Sequence, residues 1–135
     1  MTSVTIEYQG ALHCKATHEL SGTVLTTDAP RDNHGKGESF SPTDLVATAL
    51  GSCILSVMGI KARMLEVDIS GATATVEKEM ANAPVRRIKK LTVKVRMPHQ
   101  LSTELMLVLE EAAHTCPVHK SMHPDVEMPI EIAWG

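Results

Sequence analysis

Apolar and polar side chains alternate through the first part of the chain. Residues 3 to 9, 12 to 18 and 22 to 28 carry the alternation, as in Val4, Ile6 and Tyr8, and Gly10 and Gly22 separate them. The pattern predicts three short antiparallel strands in a meander. The stretch Ala29-Pro30-Arg31-Asp32-Asn33-His34-Gly35-Lys36-Gly37-Glu38-Ser39 has no periodicity and collects turn formers and charges, which predicts an exposed loop. A helix follows. Ser41 can cap it, Pro42 suits the first helical position, and Asp44 stands where a capping box needs its acid. From Leu45 to about Met64 apolar residues occupy nearly every face, so the helix is expected in the core or at a subunit interface rather than on a wet surface. At ~1.5 Å per residue it would be on the order of 30 Å long, the diameter of a small domain.

Two long strands, Glu66 to Met80 and Arg86 to Met97, are predicted next as a hairpin through Asn82-Ala83-Pro84. Ser102 or Thr103 opens a second helix through Leu105, Leu107, Val108, Leu109 and Ala112. It breaks at Cys116-Pro117, because proline removes a backbone donor and disfavours helical geometry in the residue before it. A last strand, Val126 to Trp134, completes the order βββ-α-ββ-α-β, an α+β class with antiparallel sheets rather than alternating βαβ units. No repeat or low-complexity linker interrupts the 135 residues, and one domain, 1–135, is expected.

Composition narrows the function. Thirteen basic against sixteen acidic side chains leave a formal charge of -3, too little positive field to hold a phosphate backbone. One Tyr, one Phe and one Trp supply no stacking platform for bases, so no nucleic-acid partner is expected. No apolar run approaches the ~18 to 20 residues of a membrane span, and the start Met1-Thr2-Ser3-Val4-Thr5-Ile6-Glu7 lacks a secretory pattern. The expectation is a cytoplasmic protein with no membrane partner.

Candidate chemistry lies in Cys14, Cys53 and Cys116. An odd number at long, irregular spacings argues against a disulfide-stapled scaffold, and no Cys-x-x-Cys pair exists. Cys116 precedes Pro117 as an N-cap precedes a helix, so its sulfur would face the free N–H groups of the following turn, which favours the thiolate. A small buried side chain at a kink accounts for the same residue equally well. Cys53, mid-helix, reads as core packing when taken alone. Cys116, His119 and His123 are spaced to share a helical face and offer an alternative zinc set, although Pro117 and Pro124 limit regular helix there.

Three segments together resemble the OsmC/Ohr family: Ser41-Pro42-Thr43-Asp44-Leu45-Val46-Ala47-Thr48-Ala49-Leu50-Gly51-Ser52-Cys53, Pro84-Val85-Arg86-Arg87-Ile88-Lys89-Lys90-Leu91-Thr92-Val93, and Ala112-Ala113-His114-Thr115-Cys116-Pro117-Val118. The first and last are the specific ones. The resemblance implies an intertwined homodimer with two central helices and a site at the subunit boundary. It also implies thiol chemistry without cofactor or metal, with an organic hydroperoxide as substrate and an external dithiol as reductant. By the same resemblance Cys53 is the peroxide-attacking thiolate and Cys116 the resolving thiol, although local sequence makes Cys116 the more acidic of the two.

The sequence departs from the family pattern at one place. The peroxidase branches carry a glutamate ten residues before the first cysteine and an arginine on an upstream loop; here Thr43 holds that position and Asp44 follows it. Asp44 and Arg31, with Lys36 behind it, are the candidates for the acidic and cationic roles. This is the pattern of the less characterised OsmC-like branch. Cys14, in a predicted strand with His13 and Lys15 on the opposite face, is expected to be structural. Met58, Met64, Met106 and Met122 can furnish a flexible apolar pocket. The alternative function is a dimeric binding module for an apolar small molecule with little turnover.

Overall fold

The computed structural model describes residues 1–135. The chain divides into two compact units, Met1–Val46 and Ala47–Gly135.

In the first unit, β1 (Val4–Tyr8), β2 (His13–His18) and β3 (Val24–Asp28) form an antiparallel sheet in that order, as the alternation predicts. The register aligns Ile6, Ala16 and Leu25 across the three strands, with Tyr8, Cys14 and Thr27 in the neighbouring row. Side chains two apart share a face of a strand, so one face carries Val4, Ile6, Tyr8, Cys14, Ala16 and Leu25. Cys14 is half-buried there, with His13 and Lys15 on the other side. The loop after β3 folds back on itself. Gly35 and Gly37 donate to Pro30 O and Ala29 O, and the approach is so close that a Cβ on Gly35 would overlap the Ala29 carbonyl.

Helix α1 (Pro42–Met64) opens with the expected capping box. The Asp44 N–H donates to Ser41 Oγ at 3.0 Å, and the Ser41 N–H donates to Asp44 Oδ2 at 2.9 Å. Two helix-terminal donors are thereby satisfied reciprocally.

In the second unit, β4 (Thr73–Ala81), β5 (Arg87–Met97) and β6 (Ile130–Trp134) form a sheet in that order. Between β5 and β6 lie α2 (Thr103–Ala113), capped by Ser102, and the short α3 (Pro117–Ser121). Two boundaries and one strand pairing depart from the sequence expectation. The first hairpin strand begins at Thr73, not Glu66, because the chain first turns out of α1: Glu66 is left-handed (φ 59°), Val67 N–H returns to Ala62 O, and Asp68 accepts from Ser70. The last strand begins at Ile130, with Glu127 joined to Lys90 by an isolated bridge; Pro129, which has no N–H, interrupts the ladder. Finally, β6 pairs parallel to β5, so this sheet is mixed rather than antiparallel. The connection through α2 and α3 is long enough for the crossover that parallel neighbours require.

The core of this unit joins a stripe of α1 to one face of β5. Leu50, Ile54, Met58 and Ala62, spaced by one helical turn, are buried together with Leu91, Val93, Val95 and Met97, alternate residues of β5, and with Leu109 and Ala113 of α2. Gly51 marks a close helix-to-sheet approach: a Cβ there would stand 3.0 Å from Val76 Cγ2 and 3.7 Å from Ala74 Cβ on β4. Trp134 Nε1–H donates to Glu110 Oε1 at 2.8 Å, tying β6 to α2. By length and composition α1 could cross a membrane, its most apolar 18-residue window reaching a mean hydropathy of 1.8. That corrects the expectation that no segment qualifies: scattered Gly, Ser and Thr break the apolar run without lowering its average enough. The stripe Leu50, Ile54, Met58 and Ala62 is occupied by core packing, and 33% of that apolar window is buried.

Candidate functional site

The second unit brings Cys53 and Cys116 together. Cys53 sits mid-way along α1 and is partly exposed, next to the exposed Ser52; Cys116 is the N-cap of α3 and is completely buried. Cys53 is close enough to act on the Cys116 thiol, and both are free thiols. Neither helix alone dictates this meeting. It follows from Leu50, Ile54 and Met58 packing into the same core as Leu109 and Ala113, which draws the break after α2 onto the cysteine-bearing part of α1.

Backbone donors converge on Cys116 as the N-cap reading predicts. The His119 N–H donates to Cys116 Sγ at 3.4 Å, and the Val118 N–H also favours the thiolate. Yet the net effect is opposite to the one expected from local sequence. Burial, first, and the neighbouring Cys53 side chain, second, push the Cys116 thiol above its ordinary value of 9.0, outweighing the two N–H groups. A helix terminus stabilises an anion only as far as the surroundings let the anion exist, and a site without solvent penalises the charged form. Cys116 therefore keeps its proton. As a protonated neighbour of Cys53, it is available to that sulfur.

The other predicted residues stand in the first unit. Arg31 lies in a single 3-10 turn, Arg31–Asn33, is exposed, and donates through Nε to Lys36 O at 3.2 Å. Lys36 thus enters that contact through its carbonyl. The half-buried Asp44 forms the capping box of α1 with Ser41.

The zinc alternative finds no cluster, since no three His, Cys, Asp or Glu side chains converge to hold a metal. His123 is exposed, and its Nδ1 accepts from Asp125 N–H at 3.0 Å. Of the four methionines expected around a pocket, Met58 is buried in the core, whereas Met64 lines a groove of about 370 Å³ between α1 and α2. Val57, Ile60, Val108 and Ala112 give it apolar walls, with Lys61 and Glu111 among its lining. Val57 is one helical turn beyond Cys53, and Thr115, also in the lining, precedes Cys116.

Sequence reasoning missed one buried charge in the first unit. Asp28, at the end of β3, is buried and lies 2.6 Å from His13 Nδ1, its partner in the β2–β3 register. Both residues stand at strand ends beside turn formers, where the polar alternation gives no sign of inward orientation.

The sequence pattern of the OsmC-like protein family matches residues 35–131. No curated protein is similar enough in sequence to count as a match. A solved structure from Psychrobacter arcticus 273-4, provisionally described as an osmotic stress induced and detoxification response protein, is 46% identical, with a TM-score of 0.93 over 98% of this chain and 96% of that one. An organic hydroperoxide resistance protein OsmC from Legionella pneumophila shares the fold at 16% identity, with a TM-score of 0.78 and coverage of 98% and 96%. So does the organic hydroperoxide resistance protein OhrB of Bacillus subtilis, at 19% identity, a TM-score of 0.69 and 98% coverage of both chains. The match over most of the sequence and the likeness to the Psychrobacter protein agree with the paired helices and their cysteines: this chain belongs to the OsmC-like family.

Proposed function

We propose that this protein reduces organic hydroperoxides with Cys53 and Cys116 and is recharged by an external dithiol. The observation that carries the reading is that two free thiols from different helices are neighbours, one partly exposed and one buried. The Cys53 thiolate attacks the terminal peroxide oxygen, an S–O bond forms as the O–O bond breaks, and the alkoxide takes a proton and leaves as an alcohol. Cys53 is then a sulfenic acid. The sulfur of Cys116 displaces its oxygen, which leaves as water, and an internal disulfide results. Because Cys116 holds its proton against Cys53, the pair supports first attack by Cys53 and capture by Cys116. The names of the Legionella and Bacillus proteins, organic hydroperoxide resistance, agree with this substrate class.

The apolar groove between α1 and α2, whose lining includes Val57, one turn beyond Cys53, and Thr115, next to Cys116, favours an alkyl substituent on the peroxide. It equally suits the alternative, a binding module for an apolar small molecule with little turnover. Treatment with one equivalent of cumene hydroperoxide followed by peptide mass spectrometry separates the two. One internal Cys53–Cys116 disulfide, with sustained peroxide consumption in dithiothreitol or dihydrolipoamide, is the expected result; two thiols left free would reject the reductase.

The working form in this reading is a homodimer. Val4, Ile6, Tyr8 and Leu25 expose one apolar face of the first sheet, while Ile60, Met64 and Leu107 are exposed on the helices of the second unit. A chain that leaves so many large apolar side chains in water has surface for a second copy. Light scattering should give twice the chain mass, and Ile6→Asp should shift it towards the monomer. Arg31 and Asp44 are kept as candidates for steering the peroxide, to be tested by Arg31→Ala and Asp44→Asn on the rate of disulfide formation.

A further inference from the structure

We infer that the external dithiol attacks the sulfur of Cys53 in the oxidised protein and expels Cys116, so that the mixed disulfide always forms on Cys53. This rests on the dithiol reading given above and adds the direction of the recharging step.

Thiol–disulfide exchange needs the incoming thiolate to approach along the S–S axis, from behind the sulfur it attacks. Cys116 has none of its surface exposed, even in the single chain. Any further packing can only cover it more. It is walled by its own chain, including the start of α3, whose His119 N–H points at the sulfur. Cys53 keeps partial exposure on α1 beside the exposed Ser52. The proposed chemistry already requires a hydroperoxide to reach Cys53, so one opening serves both substrates in turn.

A second observation bears on the leaving group. When a thiolate R–S⁻ bonds to Cys53, the S–S electron pair departs with Cys116, and the new anion is met by the N–H groups of His119 and Val118. The proton lost from the attacking thiol is then available to Cys116, which returns to its protonated form. The second thiol of the dithiol attacks its own sulfur bonded to Cys53, closes a cyclic disulfide and releases Cys53 as the thiolate. Bonds and electrons balance: one dithiol is oxidised and one protein disulfide reduced. Burial alone makes Cys116 the poorer leaving group, which would favour attack on it. That effect is graded, whereas a missing approach path stops the reaction.

The test begins with the full-length wild-type protein oxidised by one equivalent of cumene hydroperoxide, the Cys53–Cys116 disulfide being verified by peptide mass spectrometry. Excess N-acetylcysteine is added, the reaction is acid-quenched over a time series, free thiols are alkylated and the peptides are mapped. N-Acetylcysteine on the Cys53 peptide, at least about tenfold over Cys116 at the earliest times, is the expected result; an adduct on Cys116, or an even split, overturns the inference. If the disulfide never forms, the reductase reading itself fails, and that appears before the monothiol is added. As a second measurement, methyl methanethiosulfonate should modify Cys116 in Cys53→Ser at least about tenfold more slowly than Cys53 in Cys116→Ser. Comparable rates would show that Cys116 has its own approach path and would also overturn the inference.

Discussion

The thiol of Cys116, shut away from solvent at the N-cap of α3, is a neighbour of Cys53 on α1. Two N–H groups favour its anion, yet burial and the neighbouring sulfur prevail and the proton stays. In the proposed reaction, the division of labour between the cysteines rests on that balance. Removing either sulfur should therefore have a different consequence. Cys53→Ser should abolish peroxide consumption, whereas Cys116→Ser should leave a Cys53 sulfenic acid that dimedone traps after one equivalent of peroxide. Dimedone labelling of Cys116 in place of Cys53 would reverse the assigned order.

The raised Cys116 value also makes a statement about stability against pH. A thiol that binds its proton more tightly folded than unfolded leaves the unfolded state with fewer protons once pH passes the unfolded value, so stability falls with rising pH there. The window opens near the ordinary value of 9.0 and closes at the higher folded value. Urea titrations at about pH 7, 8, 9 and 10 should show that decline, and Cys116→Ser should make it shallower. An identical slope in the two proteins would remove Cys116 as its source.

Gly51 tests the contact that holds α1 against β4. With Val76 Cγ2 only 3.0 Å from where a Cβ would stand, Gly51→Val should cost about 1–3 kcal/mol through overpacking. Gly51→Ala should cost less, because alanine regains about 1 kcal/mol of helix propensity. Denaturant midpoints for the two variants give the order directly.

The capping box makes a local prediction. Ser41→Ala removes the acceptor of the Asp44 N–H in a position that is almost completely buried, and should lower stability by about 1 kcal/mol. Ser41→Asp, which keeps an acceptor, should retain more of it. Equal losses would show that the space around Ser41, rather than its hydrogen bond, matters.

In the first unit, His13→Ala should cost about 1–3 kcal/mol, since it strands the buried Asp28 carboxylate without its imidazole. Pairing His13→Ala with Asp28→Asn should restore part of the loss, because the partner then left behind is no longer charged. Thermal melts of the three proteins and the wild type form a double-mutant cycle that reads the coupling.

Local patterns determined much of this molecule. Period-two alternation fixed β1 to β3, Ser41-Pro42 and Asp44 fixed the start of α1, and Pro117 fixed the break that makes Cys116 an N-cap; each is set by neighbours within a few positions. The start of β4 was misplaced because the polar and apolar order of residues 66 to 72 suits a strand and a turn alike, and the left-handed Glu66 and Gly71 decide between them. The parallel pairing of β6 lay beyond local reading, since it depends on where α2 and α3 deliver the chain. So did the balance at Cys116. Its sequence neighbours supply the N–H groups that favour a thiolate, but the burial and the second sulfur that keep it protonated come from segments distant along the chain. Only the packed structure brings those to bear, because desolvation belongs to a place in the fold and not to a stretch of sequence.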